Sequence, residues 1–147
     1  MARIFAVANQ KGGVGKTTTV VNLAAYLGSR GKKVLCVDID AQGNTTTGFG
    51  IQKKGLEMST YDVLLGKARI QEAILDSEFS NVSVVPAVSA LAGAEIEMIE
   101  LDNRMNRLKM QLLTCRTDYD FVFIDCPPSL SLMTLNGLVA VSYTHLR

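Results

Sequence analysis

No feature of this chain constrains its fold more than the segment Gln10-Lys11-Gly12-Gly13-Val14-Gly15-Lys16-Thr17-Thr18-Thr19, which stands between an apolar run and a helical pattern. Gly15-Lys16-Thr17 closes a phosphate-binding loop, and such a loop requires a strand before it and a helix after it. Two positions depart from the ordinary G-x-x-x-x-G-K-[ST] pattern. Gln10 stands where the first glycine is expected, and Lys11 adds a second lysine beside it. The extra lysine points to one branch of nucleotide hydrolases rather than to the whole superfamily.

The flanking sequence supplies the required context. Ile4 to Ala8 is nearly all apolar, as in a strand buried on both faces of a parallel sheet. Thr18 to Arg30 reads as a helix with Val21, Ala24, Ala25 and Leu27 on its inner side and Gly31 as its stop. Val34 to Val37 is a second buried strand, closed by Asp38-Ile39-Asp40. This order opens a doubly wound α/β fold, a mostly parallel sheet with helices on both faces and ligands at the carboxyl ends of its strands.

Farther along, Ala41 to Gly55 reads as a polar loop, and Thr60 to Leu65 and Ile70 to Leu75 as short helices. Val82 to Val85 is a third strand, ended by Pro86. A long helix is predicted from about Leu91 to Cys115, because Leu91, Ala94, Met98, Leu101, Met105, Leu108 and Leu112 recur at steps of three and four. That seam is expected to pack on the sheet rather than on a partner. Phe121 to Ile124 is a fourth strand ending in Asp125, and Ser131 to Val141 is a final helix.

Composition bounds the function. A chain of 147 residues fits one domain, which buries roughly 70% of its unfolded surface. A net charge of +1 argues against a strongly basic nucleic-acid surface, with Lys32-Lys33 and Lys53-Lys54 read as solvated loop ends. The three cysteines are widely spaced and read as reduced, structural thiols. With a single histidine and no CxxC pair, no metal cluster is written in the sequence. The N-terminus has no long apolar run, so neither a signal peptide nor a membrane span is expected and the cytoplasm is the default.

The candidate chemistry gathers at the strand ends. Gly12, Gly13 and Gly15 let the backbone of Lys11 to Thr18, Val14 included, curl so that N–H groups face phosphate oxygens. Lys16 would reach the β- and γ-phosphates, and the Thr17 hydroxyl would coordinate magnesium. Asp125 closes Phe121-Val122-Phe123-Ile124 in the layout of a Walker B acid. Asp38 and Asp40 close the second strand on the same rim, where a carboxylate can hold the hydration shell of a metal or position an attacking water.

Together KGGVGKTTT, VDIDAQGN and FIDCPPS resemble the ParA/Soj family of chromosome- and plasmid-partition ATPases, within the deviant Walker A group that includes MinD. The match runs in order from about Arg3 to Leu138, and Ala92-Gly93-Ala94-Glu95-Ile96-Glu97 also resembles the Soj-like members. The resemblance implies a P-loop NTPase that binds ATP and Mg2+ and forms an ATP-dependent sandwich homodimer. It implies that Lys11 reaches the partner's phosphates in trans, that Asp40 helps position the hydrolytic water, and that Asp125 supports magnesium. It also implies non-specific DNA binding and stimulation by a ParB-like centromere-binding partner, and no membrane.

The family continues with further strands, an adenine pocket and a basic DNA-binding surface. Residues 1–141 therefore read as the N-terminal part of such a domain. Ser142-Tyr143-Thr144-His145-Leu146-Arg147 reads as a tail outside the pattern, with His145 a surface residue. A sheet without the later strands is expected to leave an open apolar edge and to be poorly soluble, with phosphate contacts but weak purine contacts. Three alternatives accompany this reading. One is a MinD-like membrane-cycling regulator, whose mark would be a C-terminal amphipathic helix. Another is an electron-transfer ATPase like the nitrogenase iron protein, for which Cys36 and Cys126 are poorly placed to hold a cluster. The last is an inactive fragment that carries only the family's sequence.

Overall fold

A computed structural model of the chain describes residues 1–9, 11 and 15–141; Gln10, Gly12, Gly13 and Val14 of the loop and the tail 142–147 with His145 lie outside the described residues. Five strands form one sheet: β1 (Arg3–Val7), β2 (Val34–Asp38), β3 (Leu75–Asp76), β4 (Val82–Val85) and β5 (Phe121–Asp125). Their spatial order is β1-β5-β2-β4-β3, parallel throughout except for the antiparallel pairing of β3 with β4. The last described strand in sequence, β5, is thus inserted between the first two, and β2 lies at the centre.

The period-2 alternation of the strands divides the core into two layers. On one face Val34 and Cys36 of β2, Val82 and Val84 of β4 and Phe123 of β5 pack against Val20 and Ala24 of α1 (Lys16–Ser29) and against Phe49. On the other face Leu35, Val37, Val122 and Ile124 meet buried residues of the later helices. These are α3 (Thr60–Leu64), α4 (Ile70–Ala73), α5 (Leu91–Met98), α6 (Arg107–Leu113) and α7 (Leu132–Ala140). Helices therefore cover both faces, as the strand-helix alternation predicts. β1 forms one edge of the described sheet, and its Phe5, 43% exposed, stacks on Phe121 and Phe123.

Helix α1 fully buries Val20, Ala24 and Gly28, and of the predicted inner residues Ala24 is buried while Val21 and Leu27 pack partly buried against the same layer. The helix comes closest to the sheet side at Gly28. A Cβ there would stand 2.3 Å from the Ser80 carbonyl oxygen and 2.7 Å from a Val82 methyl, so only glycine lets α1 lie this close to the sheet. The helix ends as expected at Gly31 (φ +83°), which donates to the Gly28 carbonyl while Lys32 donates to that of Leu27, a Schellman closure. Gly93 of α5 meets nothing within 4 Å. Gly28→Ala is therefore expected to cost about 1–3 kcal/mol through overpacking, against the usual helical preference for alanine. Gly93→Ala is expected to gain up to about 1 kcal/mol. Paired urea melts check both signs.

Three segments depart from the sequence-based expectation. The predicted helix Leu91–Cys115 is two helices, α5 and α6, with a turn between them in which Asn103 takes φ +56°. Asn136 of α7, fully buried, satisfies the backbone groups that this break releases. Its Nδ2 donates to the Arg104 carbonyl and its Oδ1 accepts from the Leu108 N–H. The seam still packs inward at Leu91, Ala94, Met98, Leu108 and Leu112, while Met105 is exposed. The predicted loop Ala41–Gly55 contains a short helix, α2 (Asn44–Gly48). The helix predicted over Ile70–Leu75 stops at Ala73, where Leu75 and Asp76 turn to pair with Val84 and Ser83.

All three cysteines are free and buried. Burial pushes the thiol of Cys126 up to about 12 and that of Cys115 up to about 11, and raises that of Cys36 as well. A raised thiol pKa depletes the reactive thiolate at pH 8. Iodoacetamide is thus expected to leave the folded protein nearly unlabelled and to add three adducts after denaturation, read by intact mass.

Candidate functional site

The carboxyl rim of the sheet brings together residues far apart in sequence. Asp38 of β2 and Asp125 of β5 are direct register partners across adjacent parallel strands. Both are buried, at 0% and 1% exposure. Side by side in a desolvated setting, two carboxylates repel, and the local structure is built around that cost.

Asp125 is held by two hydroxyls. Its Oδ2 accepts from Thr17 Oγ1 at 2.8 Å and from Thr45 Oγ1 at 2.6 Å. Its Oδ1 is buried with no hydrogen-bond partner among the described residues. Burial raises the Asp125 pKa; the Thr45 and Thr17 bonds pull it down, the nearby charge of Asp40 pushes it up, and Lys16 offsets it. Lys16, Asp40 and Asp125 therefore sit within electrostatic reach of one another.

Asp38 plays a different part. Its Oδ2 accepts from the Thr46 N–H at 2.9 Å and from Thr46 Oγ1 at 2.7 Å, and its Oδ1 accepts from the Asp40 N–H at 3.1 Å. Burial pushes its carboxyl up to about 7, the Thr46 bonds opposing and the Asp125 charge reinforcing. Asp40 is half-buried just beyond the strand, where its Oδ1 accepts from the Gln42 N–H at 3.0 Å and its carbonyl from the Gly43 N–H. This turn places Asp40 just past the end of β2, where its charge acts on Asp125.

The phosphate loop meets the same rim. Gly15 takes φ +87° at the N-cap of α1 and offers no side-chain cap, so the N–H groups of the first turn are left for an anion. The first turn, Lys16-Thr17-Thr18, carries no acidic residue to compete for that role. Lys16 Nζ donates to the Lys11 carbonyl at 3.4 Å. Lys11 itself is exposed, its N–H bonded to Asn9 Oδ1, and no carboxylate contacts its side chain in an ion pair among the described residues. The predicted Gly12, Gly13 and Val14 contacts fall outside the described residues.

The donor set fits a hard divalent cation held partly by a ligand. Such ions take oxygen donors, keep several waters, and need only one or two protein groups beside phosphates. A hydroxyl at Thr17 and a carboxylate with one orphaned buried oxygen meet that requirement. No group of three His, Cys, Asp or Glu that could cage a metal occurs among the described residues. Lys16, Thr17, Asp40 and Asp125, picked out in the sequence, lie together at this rim with Thr45 and Thr46, which the sequence reading did not pick out. The available signal was a run of threonines directly after the Asp40-Ala41-Gln42-Gly43 turn, beside two strand-end acids.

Comparison with known proteins places this geometry. The AAA_31 family model, described as an AAA domain, matches residues 2–145. The chain is 51% identical over 140 residues to the sporulation initiation inhibitor protein Soj of Bacillus subtilis, covering 95% of this chain and 55% of Soj. It is 47% identical to the chromosome partitioning protein ParA of Myxococcus xanthus, covering 95% and 50%. Among solved structures, cobyrinic acid a,c-diamide synthase from Mycobacterium smegmatis, with bound ATP analogue and magnesium, superposes with a TM-score of 0.92. That match has 43% identity and covers 96% of this chain and 57% of the other. The chain spans about half the length of the curated relatives it matches. A family match across nearly every residue, on a mostly parallel sheet with a phosphate loop at its rim, leads to one conclusion: the chain belongs to the AAA_31 family of AAA domains, a P-loop NTPase of the ParA/Soj kind.

Proposed function

We propose that this protein is an ATP-binding and ATP-hydrolysing switch for DNA partitioning, working as a nucleotide-dependent dimer in the cytoplasm. The observation that carries the proposal is the shared Asp125 carboxylate. One of its oxygens is bound by Thr17 of the phosphate loop and the other is buried without a partner among the described residues, with the charges of Lys16 and Asp40 acting on the carboxylate. The ATP analogue and magnesium in the M. smegmatis neighbour and the chromosome-partitioning role named for the Myxococcus xanthus ParA relative support it.

In this reading Lys16 and the first-turn N–H groups of α1 hold the phosphates of ATP. Thr17 and Asp125 hold Mg2+, which when bound offsets charge on the phosphate oxygens. Asp40, placed just past the end of β2 by its own turn, orients the attacking water and accepts a hydrogen bond from it. Lys11, exposed and in no ion pair among the described residues, reaches the phosphates of a second copy, where its charge acts as an arginine finger does. A ParB-like partner and non-specific DNA would then set the rate and place of turnover.

The test is Mg2+-dependent ATP turnover measured alone, with DNA, and with DNA plus a ParB-type partner. Slow turnover that rises with partner and DNA is expected. Turnover stimulated instead by anionic lipid vesicles would favour the membrane-cycling alternative. No turnover under any condition would contradict both.

A further inference from the structure

We infer that Thr45 and Thr46 are the positioning residues of this site, one short helix holding both strand-end carboxylates and with them the Asp40 turn. The inference rests on the nucleotide reading above and assigns it two residues that the phosphate loop and the acids do not supply.

Asp38 and Asp125 lie opposite each other across β2 and β5, and both are buried. Consecutive side chains on a helix diverge by about 100°, so a pair at successive positions can serve two neighbouring strand ends at once. Thr45 Oγ1 donates to Asp125 Oδ2 at 2.6 Å, and Thr46 donates to Asp38 Oδ2 through both its N–H and its hydroxyl. Thr46 Oγ1 also accepts from the Ala87 N–H at 2.9 Å, which ties the end of β4 to the same point. Both threonines are 0% exposed.

The geometry has a consequence for each acid. Asp125 Oδ2 already accepts two hydroxyl hydrogens, one from Thr17 and one from Thr45, which fixes the carboxylate plane and leaves Oδ1 without a partner among the described residues. Asp40 is held at both ends of its turn, by its own N–H to Asp38 Oδ1 and by the Gly43 N–H to its carbonyl, with Gly43 the N-cap of α2. Freeing α2 would release the carboxylate and the turn together. Buried hydroxyl-to-carboxylate bonds of this kind orient a metal-binding group without touching the metal, and their loss typically costs 10–100-fold in metal affinity.

The test is the affinity of a non-hydrolysable ATP analogue measured by calorimetry across a Mg2+ titration and in EDTA. For Thr45→Val, which keeps the shape and removes the hydroxyl, the Mg2+ needed for half-maximal tightening is expected to rise about tenfold. Affinity in EDTA is expected to stay unchanged, and Thr45→Ser to restore the wild-type curve. An unchanged Mg2+ curve in Thr45→Val would overturn the assignment. So would an equal loss with and without Mg2+, or a loss that Thr45→Ser fails to rescue, since either marks a purely structural residue. If Thr45→Val does not fold, Thr45→Ser and Thr45→Cys carry the comparison, with only the serine variant expected to match the wild type. Absence of Mg2+-dependent binding in the unsubstituted protein would instead overturn the nucleotide reading itself, before any variant is compared.

Discussion

Lys16→Ala is expected to weaken ATP binding by at least about a hundredfold, equivalent to about 3 kcal/mol, and to remove turnover with it. The size follows from position. Lys16 begins α1, its ammonium donates to the Lys11 carbonyl, and its charge acts on Asp125. Removing it takes away the one described ammonium that offsets the rim carboxylates, so ATP phosphates would enter a site whose remaining fixed charges repel them. Lys16→Arg is expected to recover only part of the loss, since a planar fork does not replace a compact ammonium in a tight loop. Equilibrium titration of a fluorescent ATP analogue reads both variants.

Lys11→Ala is expected to do the opposite: leave ATP affinity within about threefold while lowering turnover by about 10³-fold or more, the range known for charges supplied in trans. Lys11 is exposed, and its side chain makes no ion pair among the described residues, so its removal disturbs no packing in its own chain. Mixing sharpens the prediction. Asp40→Ala is expected to bind ATP but not to hydrolyse it, and each variant alone should be silent. In a symmetric dimer, an equal mixture places the intact Lys11 of one chain beside the intact Asp40 of the other in one of two sites. Turnover near about a quarter of wild type is expected, from random pairing in a two-fold dimer. A mixture as silent as its parts, with dimers still formed, would count against action in trans.

Much of this architecture is legible in the sequence because its chemistry leaves little choice. A Gly-Lys-Thr after a buried strand permits a strand-loop-helix unit, and an acid closing Phe121-Val122-Phe123-Ile124 permits a rim carboxylate. What stayed hidden was decided by tertiary contacts. Asn44-Thr45-Thr46-Thr47-Gly48 has poor helix propensity and forms α2 because two buried acids hold its threonines. The apolar spacing from Leu91 to Leu112 runs unbroken through a segment where the backbone is not helical. Nothing local marks the break, because the residue that stabilises it, Asn136, lies on α7. The burial of Val20 and Gly28 on α1 was missed for a similar reason. Gly28 reads as a weak helix residue in sequence, and in space a side chain there would meet the Ser80 carbonyl. Thr45 and Thr46 escaped notice because hydroxyls in a polar stretch suggest solvent, and here they are fully buried.

The most direct measurement is calorimetric titration of ATP into the protein, in Mg2+ and in EDTA. The arrangement of Lys16, Thr17 and Asp125 requires one nucleotide per chain, bound more tightly with Mg2+ than without and lost in Lys16→Ala. Binding that ignores Mg2+, or that survives intact in Lys16→Ala, would contradict it.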